Sequence, residues 1–270
     1  MNMRQNTKSG AGVPAFFFMH IAKTAGSFVN HSLKQVFDGK FVDHCEIPLR
    51  SPLQMDGRDH VIGWSGHVYL RRWLSIEREV GLNTRKFTLL RDPWHQLASH
   101  IQWLDHYNLE EHRAEFVALD TETQAVVRQV GETDIEDVGD LDRLLTNLSP
   151  RGIQYFDNCQ SRYFLADFQV IKPRDPLHLG MRSSLVEAIE LFDFIGRDED
   201  LAQLAQAFSR ILDTDIPFGT ERINTAKSLR RVQIEQEDVR EVMKKRLLLD
   251  LWLYNRVSAR EDMPGHDIAV

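Results

Sequence analysis

The strongest constraint on the fold is a pair of short apolar runs, each ending at a turn that carries a basic residue. The first is Ala15-Phe16-Phe17-Phe18-Met19-His20, which leads into Ile21-Ala22-Lys23-Thr24-Ala25-Gly26-Ser27. The second is Lys86-Phe87-Thr88-Leu89-Leu90, which leads into Arg91-Asp92-Pro93. Short apolar runs closed by turn signals read as strands buried on both faces of a parallel sheet. A helical pattern follows each turn. Val29, Leu33, Val36 and Phe37 fall at i, i+4, i+7 and i+8 of a helix over Ser27–Phe37. Asp92 and Pro93 supply an N-cap and a first helical residue for Pro93–Leu104, whose core side carries Leu97, Ile101 and Leu104.

The rest of the chain alternates in the same way. Strands are predicted over His60–Trp64 and Phe192–Ile195, and helices over Tyr69–Val80, Tyr155–Leu165 and Glu199–Leu212. A long final helix is predicted over Gln236–Tyr254, with Met243, Leu247, Leu251 and Tyr254 on one stripe. Asn108–Leu148 is acidic and helical in pattern, with breaks near Gly131 and Gly139, and Thr214–Leu229 reads as a loop. Strands separated by helices imply an α/β, three-layer sandwich with a central parallel sheet. Residues 105–150 read as a helical insertion or cap on a single domain over 14–258, with tails at 1–13 and 259–270.

Composition narrows the function classes. A net charge of −7 argues against a general nucleic-acid binder and weakens the case for a long polyanionic substrate. Cys45 and Cys159 make neither a disulfide framework nor a zinc pattern, so reduced thiols in a cytoplasmic protein are expected. The Ala15–Met19 run is too short for a membrane span or a signal segment, so a soluble chain is expected. His95, His100, His106 and His112 lack metal-ligand spacing, so no metal is expected.

The first turn has the chemistry of a phosphate cradle. Helix-start N–H groups have no intrahelical partner, the helix dipole adds positive potential, Lys23 adds a full charge, and Thr24 and Ser27 add hydroxyls. It is not a Walker A loop, because the lysine precedes the glycine. A capped helix start with a solvated lysine is the alternative. Arg91 falls at the end of its strand, where ligands gather in open α/β sheets. Ser99 lies about 200° round the helix from Leu97 at ~100° per residue. Arg91 and Ser99 can therefore grip one phosphate from two sides; otherwise Arg91 pairs with a nearby acid and Ser99 is solvated.

These two segments resemble the cofactor signatures of the carbohydrate-type (family 2) sulfotransferases, the group of the heparan sulfate 2-O-sulfotransferases. The resemblance implies a P-loop-like fold and the donor 3′-phosphoadenosine 5′-phosphosulfate. Lys23, Thr24, Ala25, Gly26, Ser27 and Phe28 would hold its 5′-phosphosulfate, and Arg91 and Ser99 its 3′-phosphate. Ser65-Gly66-His67-Val68-Tyr69 is similar to a family segment whose histidine is the proposed catalytic base, which implies His67. Asn158, Gln160 and Arg162 are similar to the family's Asn-x-Gln-x-Arg stretch. Asn158 and Arg162 share a helix face that lines a cleft or forms a surface salt bridge. Arg71 follows His67, where it meets an acidic acceptor or stays solvated. The loop carrying Asn224, Thr225 and Lys227 closes on the nucleotide as in similar enzymes, or is simply a basic loop. The chain departs from the family pattern at Ala22 (usually Pro), Ala25 (usually Gly), Gln96 (often Arg) and Ser65 (His in heparan-modifying members). The expected reaction is sulfuryl transfer to an acceptor hydroxyl on a glycan, lipid or small molecule, with Lys23 stabilising the leaving phosphate. A nucleotide kinase-like phosphotransferase and a non-catalytic nucleotide-binding protein are the alternatives.

Overall fold

Phe16–Met19 forms the middle strand, β1, of a five-stranded sheet in a computed structural model that describes residues 13–46, 61–167, 169–218 and 230–261. The other strands are β2 (Phe41–Val42), β3 (Gly63–Gly66), β4 (Arg85–Leu90) and β5 (Phe194–Arg197), in the order β2-β3-β1-β4-β5, and every pair is parallel. All carboxyl ends therefore lie on one edge. Met19 stands level with Gly66 on one side and with Thr88 on the other, so the turns after β1, β3 and β4 emerge side by side.

The triple phenylalanine feeds two cores at once, because successive strand side chains point to opposite faces. Phe16 and Phe18, with Phe87 and Leu89, pack against Val29 and Leu33 of α1 (Gly26–Val36) and Leu204 and Phe208 of α10 (Leu201–Leu212). Phe17, Met19, Trp64 and Leu90 face α2 (Leu70–Val80), α8 (Cys159–Leu165), α9 (Arg182–Ile189) and α12 (Leu248–Glu261). Phe17 stacks on Trp73 at 4.0 Å, and Phe87 on Phe208 at 4.2 Å. Burying each such side chain stabilises the fold by about 1.5–3 kcal/mol. The chain leaves β1 for β2 in one direction and β3 for β4 in the other. Crossovers of one hand then require α1 and α2 on opposite faces, which is where they lie.

A third core sits beside the sheet. It joins α3 (Pro93–Asp105), α4 (Arg113–Ala118), α5 (Thr121–Gly131), α6 (Val138–Thr146), α7 (Pro150–Phe156) and α11 (Glu237–Lys244). Leu97, Ile101 and Leu104 point into it as their spacing requires.

Several predicted elements are corrected. The strand predicted to end at Trp64 continues through Ser65 and Gly66, which pair with Phe18 and Met19. The strand predicted from Phe192 starts at Phe194, because Asp193 is held at its entry by the Lys86 backbone on both sides. The break predicted near Gly139 falls just before Val138, where Asp137 caps α6. The helix predicted over Tyr155–Leu165 is two helices, and so is the one over Gln236–Tyr254; one contact explains both breaks. Asn158 adopts a left-handed conformation (φ 46°). Its Oδ1 accepts the Leu249 and Asp250 N–H groups at 2.7 and 3.2 Å, capping α12, while its own N–H donates to Arg246. In return the Asp250 carboxylate accepts the Gln160 and Ser161 N–H groups at 3.0 and 2.7 Å, capping α8. The two helix starts cap each other. Burial still pushes the Asp250 carboxyl up to about 6.

Arg162 is 1% exposed. Its guanidinium bonds to the Asp157 carboxylate at 2.8 Å and to the Asp157, Pro173 and Asp175 carbonyls. Removing this guanidinium leaves Asp157 with only the longer Arg246 pair at 3.5 Å and leaves three carbonyls without their donor, a loss of about 3–5 kcal/mol. Arg162→Ala is expected to lower stability by that amount in urea unfolding; a loss under 1 kcal/mol would contradict this structural role.

Candidate active site

The turn after β1 is shaped to present backbone N–H groups. Lys23 (φ 67°) and Ala25 (φ 62°) both occupy the left-handed region. Alternation of this kind forms a concave nest of amides, and α1 starts directly behind it. The N–H groups of Lys23, Thr24, Ala25, Gly26 and Ser27 have no acceptor among the described residues. Two expected donors are spent elsewhere. The Phe28 N–H donates to Ala25 O at 3.0 Å, and its buried ring packs toward Phe218. The Thr24 hydroxyl donates to Ile21 O at 2.9 Å. Ser27 is exposed at the mouth of the nest.

His20 makes this turn possible. Its ring is buried against Gly26, where a Cβ would stand 1.9 Å from the imidazole carbon. Burial, with the charges of His67, His44 and Lys23 around it, lowers the His20 pKa well below its ordinary value.

The Lys23 ammonium lies 5.5 Å from the centre of the Trp103 ring, and among the described residues no carboxylate comes within ion-pair distance of it. Burial, reinforced by the Arg91 charge, lowers its pKa from 10.5 to about 8. A depressed lysine destabilises the fold below pH 8, and this penalty fades as pH rises from 8 towards 10.5. An anion beside the nest would relieve the repulsion between Lys23 and Arg91.

The second turn is fastened to the first. The Arg91 guanidinium donates to Lys23 O at 3.2 Å and pairs with Asp198 at 3.4 Å. Gln160 holds the Arg91 backbone from both sides, accepting its N–H at 2.9 Å and donating to its carbonyl at 2.8 Å. Gln96 donates to Ala22 O at 3.0 Å. Ser99 is half-buried on α3, and its hydroxyl has no protein partner among the described residues.

His67 closes the third side. Its Nδ1 lies 2.7 Å from His20 O, an atom that can only accept, so Nδ1 carries the proton and Nε2 keeps the lone pair. The Tyr163 phenol oxygen lies 3.2 Å from the same nitrogen. The imidazole keeps a solvent-open edge, yet the surrounding protein lowers its pKa by removing hydration, against the opposing pull of Glu46. The lowered pKa favours the neutral ring, with its lone pair on Nε2.

The structure thus brings together Lys23, Thr24, Ala25, Gly26, Ser27, Arg91 and His67. It does not bring in the expected substrate residues. Arg162 and Asn158 are buried and committed to structure, which corrects the expectation that they line a cleft or form a surface pair. Arg71 is exposed on α2, with Asp167 nearby. Asn224, Thr225 and Lys227 lie outside the described residues. Sequence reasoning missed Trp103, Asp198 and Glu46, and gave no task at the site to Gln160 and Tyr163, although both fall in the Asp157–Tyr163 stretch that resembles the family.

The chain matches no protein-family model and no curated protein. Among the described residues no helix is long and apolar enough to cross a membrane, and no cluster of three or more His, Cys, Asp or Glu side chains is placed to hold a metal ion. Cys45 and Cys159 are buried and not joined in a disulfide.

A non-glycine residue in the left-handed region costs ~1–2 kcal/mol. Ala25→Gly is therefore expected to raise stability by about 1 kcal/mol. Gly26→Ala is expected to lower it by driving a methyl into the His20 ring. Thermal melts of both variants check the pair; equal and unchanged midpoints would contradict the described turn.

Proposed function

We propose that this chain is a sulfotransferase of the carbohydrate type, with a P-loop-like sheet. It moves a sulfuryl group from 3′-phosphoadenosine 5′-phosphosulfate to an acceptor hydroxyl. The observation that carries the reading is the nest of five amides beside a lysine with no carboxylate partner, with a neutral histidine at the same sheet edge. The donor supplies an SO3 group on a phosphate. Its 5′ end suits the amides of Lys23 to Ser27, and its 3′-phosphate suits Arg91 and Ser99.

Each residue then has a defined task. The Lys23 ammonium offsets the charge that builds on the departing phosphate oxygen, in a partly dehydrated setting where such an interaction is strong. His67 takes the acceptor proton on Nε2 while Nδ1–H stays on His20 O, so the imidazolium that forms is held by an existing hydrogen bond. The buried thiols Cys45 and Cys159 suit a reducing compartment, and the proposal places the enzyme in the cytoplasm.

Thermal shift assays test the donor. 3′-Phosphoadenosine 5′-phosphate is expected to raise the melting temperature well above the value with AMP, through mass action on a tighter site. Equal shifts would remove Arg91 and Ser99 from a 3′-phosphate role.

The pH dependence of binding tests Lys23. With its pKa near 8 in the free protein, affinity for the bisphosphate is expected to be flat between about pH 7 and 7.5, above the second phosphate ionisation at about 6, and to fall as pH rises through 8. Lys23→Met should lose affinity and this slope together. A slope that survives in the variant would assign the titration to another group.

A further inference from the structure

We propose that Glu46 is the positioning residue for His67, fixing the backbone from which the imidazole is presented. This inference rests on the reading of His67 as the base. Glu46 Oε2 accepts the His67 N–H at 3.1 Å, and Oε1 lies 3.2 Å from His44 Nδ1. The carboxylate is seated against Gly66, where a Cβ would stand 2.1 Å from Oε2, so only glycine allows this approach. The segment that carries it is tied to the sheet: Cys45 N–H donates to Ser65 O at 2.9 Å, just after His44 turns the chain in the left-handed region. His67 is thus held at two points, by Glu46 on its backbone and by His20 O on its ring.

The same carboxylate sets the charge balance at the imidazole. His20, His44, Lys23, Tyr163 and His100 surround or act on His67, and among these neighbours Glu46 is the carboxylate. Lost hydration, His44 and Lys23 favour the neutral ring, whereas Glu46 and the His20 carbonyl favour the protonated one. Glu46 therefore steadies the imidazolium that forms when the base takes its proton, without touching the substrate.

Two variants separate geometry from charge. Glu46→Gln keeps an oxygen for the His67 N–H and removes the charge; Glu46→Ala removes both. The full-length protein is followed by nitrogen-resolved NMR titration of the His67 imidazole. Activity is followed as hydrolysis of 3′-phosphoadenosine 5′-phosphosulfate with water as acceptor. In Glu46→Gln the imidazole midpoint is expected to move to lower pH, and the acid limb of kcat/KM to move with it. In Glu46→Ala, kcat is expected to fall by about tenfold or more with the donor KM unchanged, as for a misplaced group. An imidazole midpoint that stays put in Glu46→Gln would overturn the proposal. A midpoint that moves while the activity limb does not would support control of the ring by Glu46 and overturn His67 as the base.

Discussion

His20 is the contact on which the site depends. It is the first residue beyond β1, and each part of it holds a different neighbour. Its N–H donates to Gly66 at the end of β3, its carbonyl receives the His67 ring, and its own ring fills the space that Gly26 leaves at the start of α1. One buried residue therefore sets the spacing between the amide nest and the His67 ring. Its depressed basicity keeps it uncharged in a region that already holds Lys23 and Arg91.

The site runs against stability in identifiable ways. Lys23 and Ala25 sit in a costly backbone region, five amides lack acceptors among the described residues, and an ammonium is partly dehydrated. The surrounding structure offsets this with three continuous cores and an over-determined frame. Thr88 donates to Met19 O, Gln96 to Ala22 O, and Gln160 grips Arg91 on both backbone atoms. Strain concentrated in one turn, held by hydrogen bonds from its neighbours, is a pattern that binding sites share.

Much of this frame could be read from local sequence. The triple phenylalanine before Lys23 located the central strand, and Asp92-Pro93 located the start of α3 because a cap and a fixed φ are local properties. The helix breaks at Asn158 and Lys245 were not legible, since each exists through a hydrogen bond to the other end of the chain. Strand β2 escaped notice because two residues carry no periodicity. At the site, Lys23 and Arg91 stood out because they interrupt apolar runs. Glu46 and Tyr163 did not, because their importance lies in what the fold sets beside them. Arg162 misled for the opposite reason: a charged residue at helical spacing suggests a surface, and here the charge is buried with Asp157.

The mutual capping of α8 and α12 has a temporal consequence. Gln160 and Tyr163 ride on α8, whose first amides are satisfied by a carboxylate that lies 90 and 89 positions later in the chain. Until that late segment arrives, α8 has an open first turn, and nothing anchors the grip on Arg91 or the phenol beside His67. Closing so long a loop carries an entropic charge that local contacts cannot offset. The amide nest, built from residues close in sequence, can form early. The surroundings of His67 and the second turn gain their final places only when the last helix docks, so the two halves of this sheet edge are completed at different times.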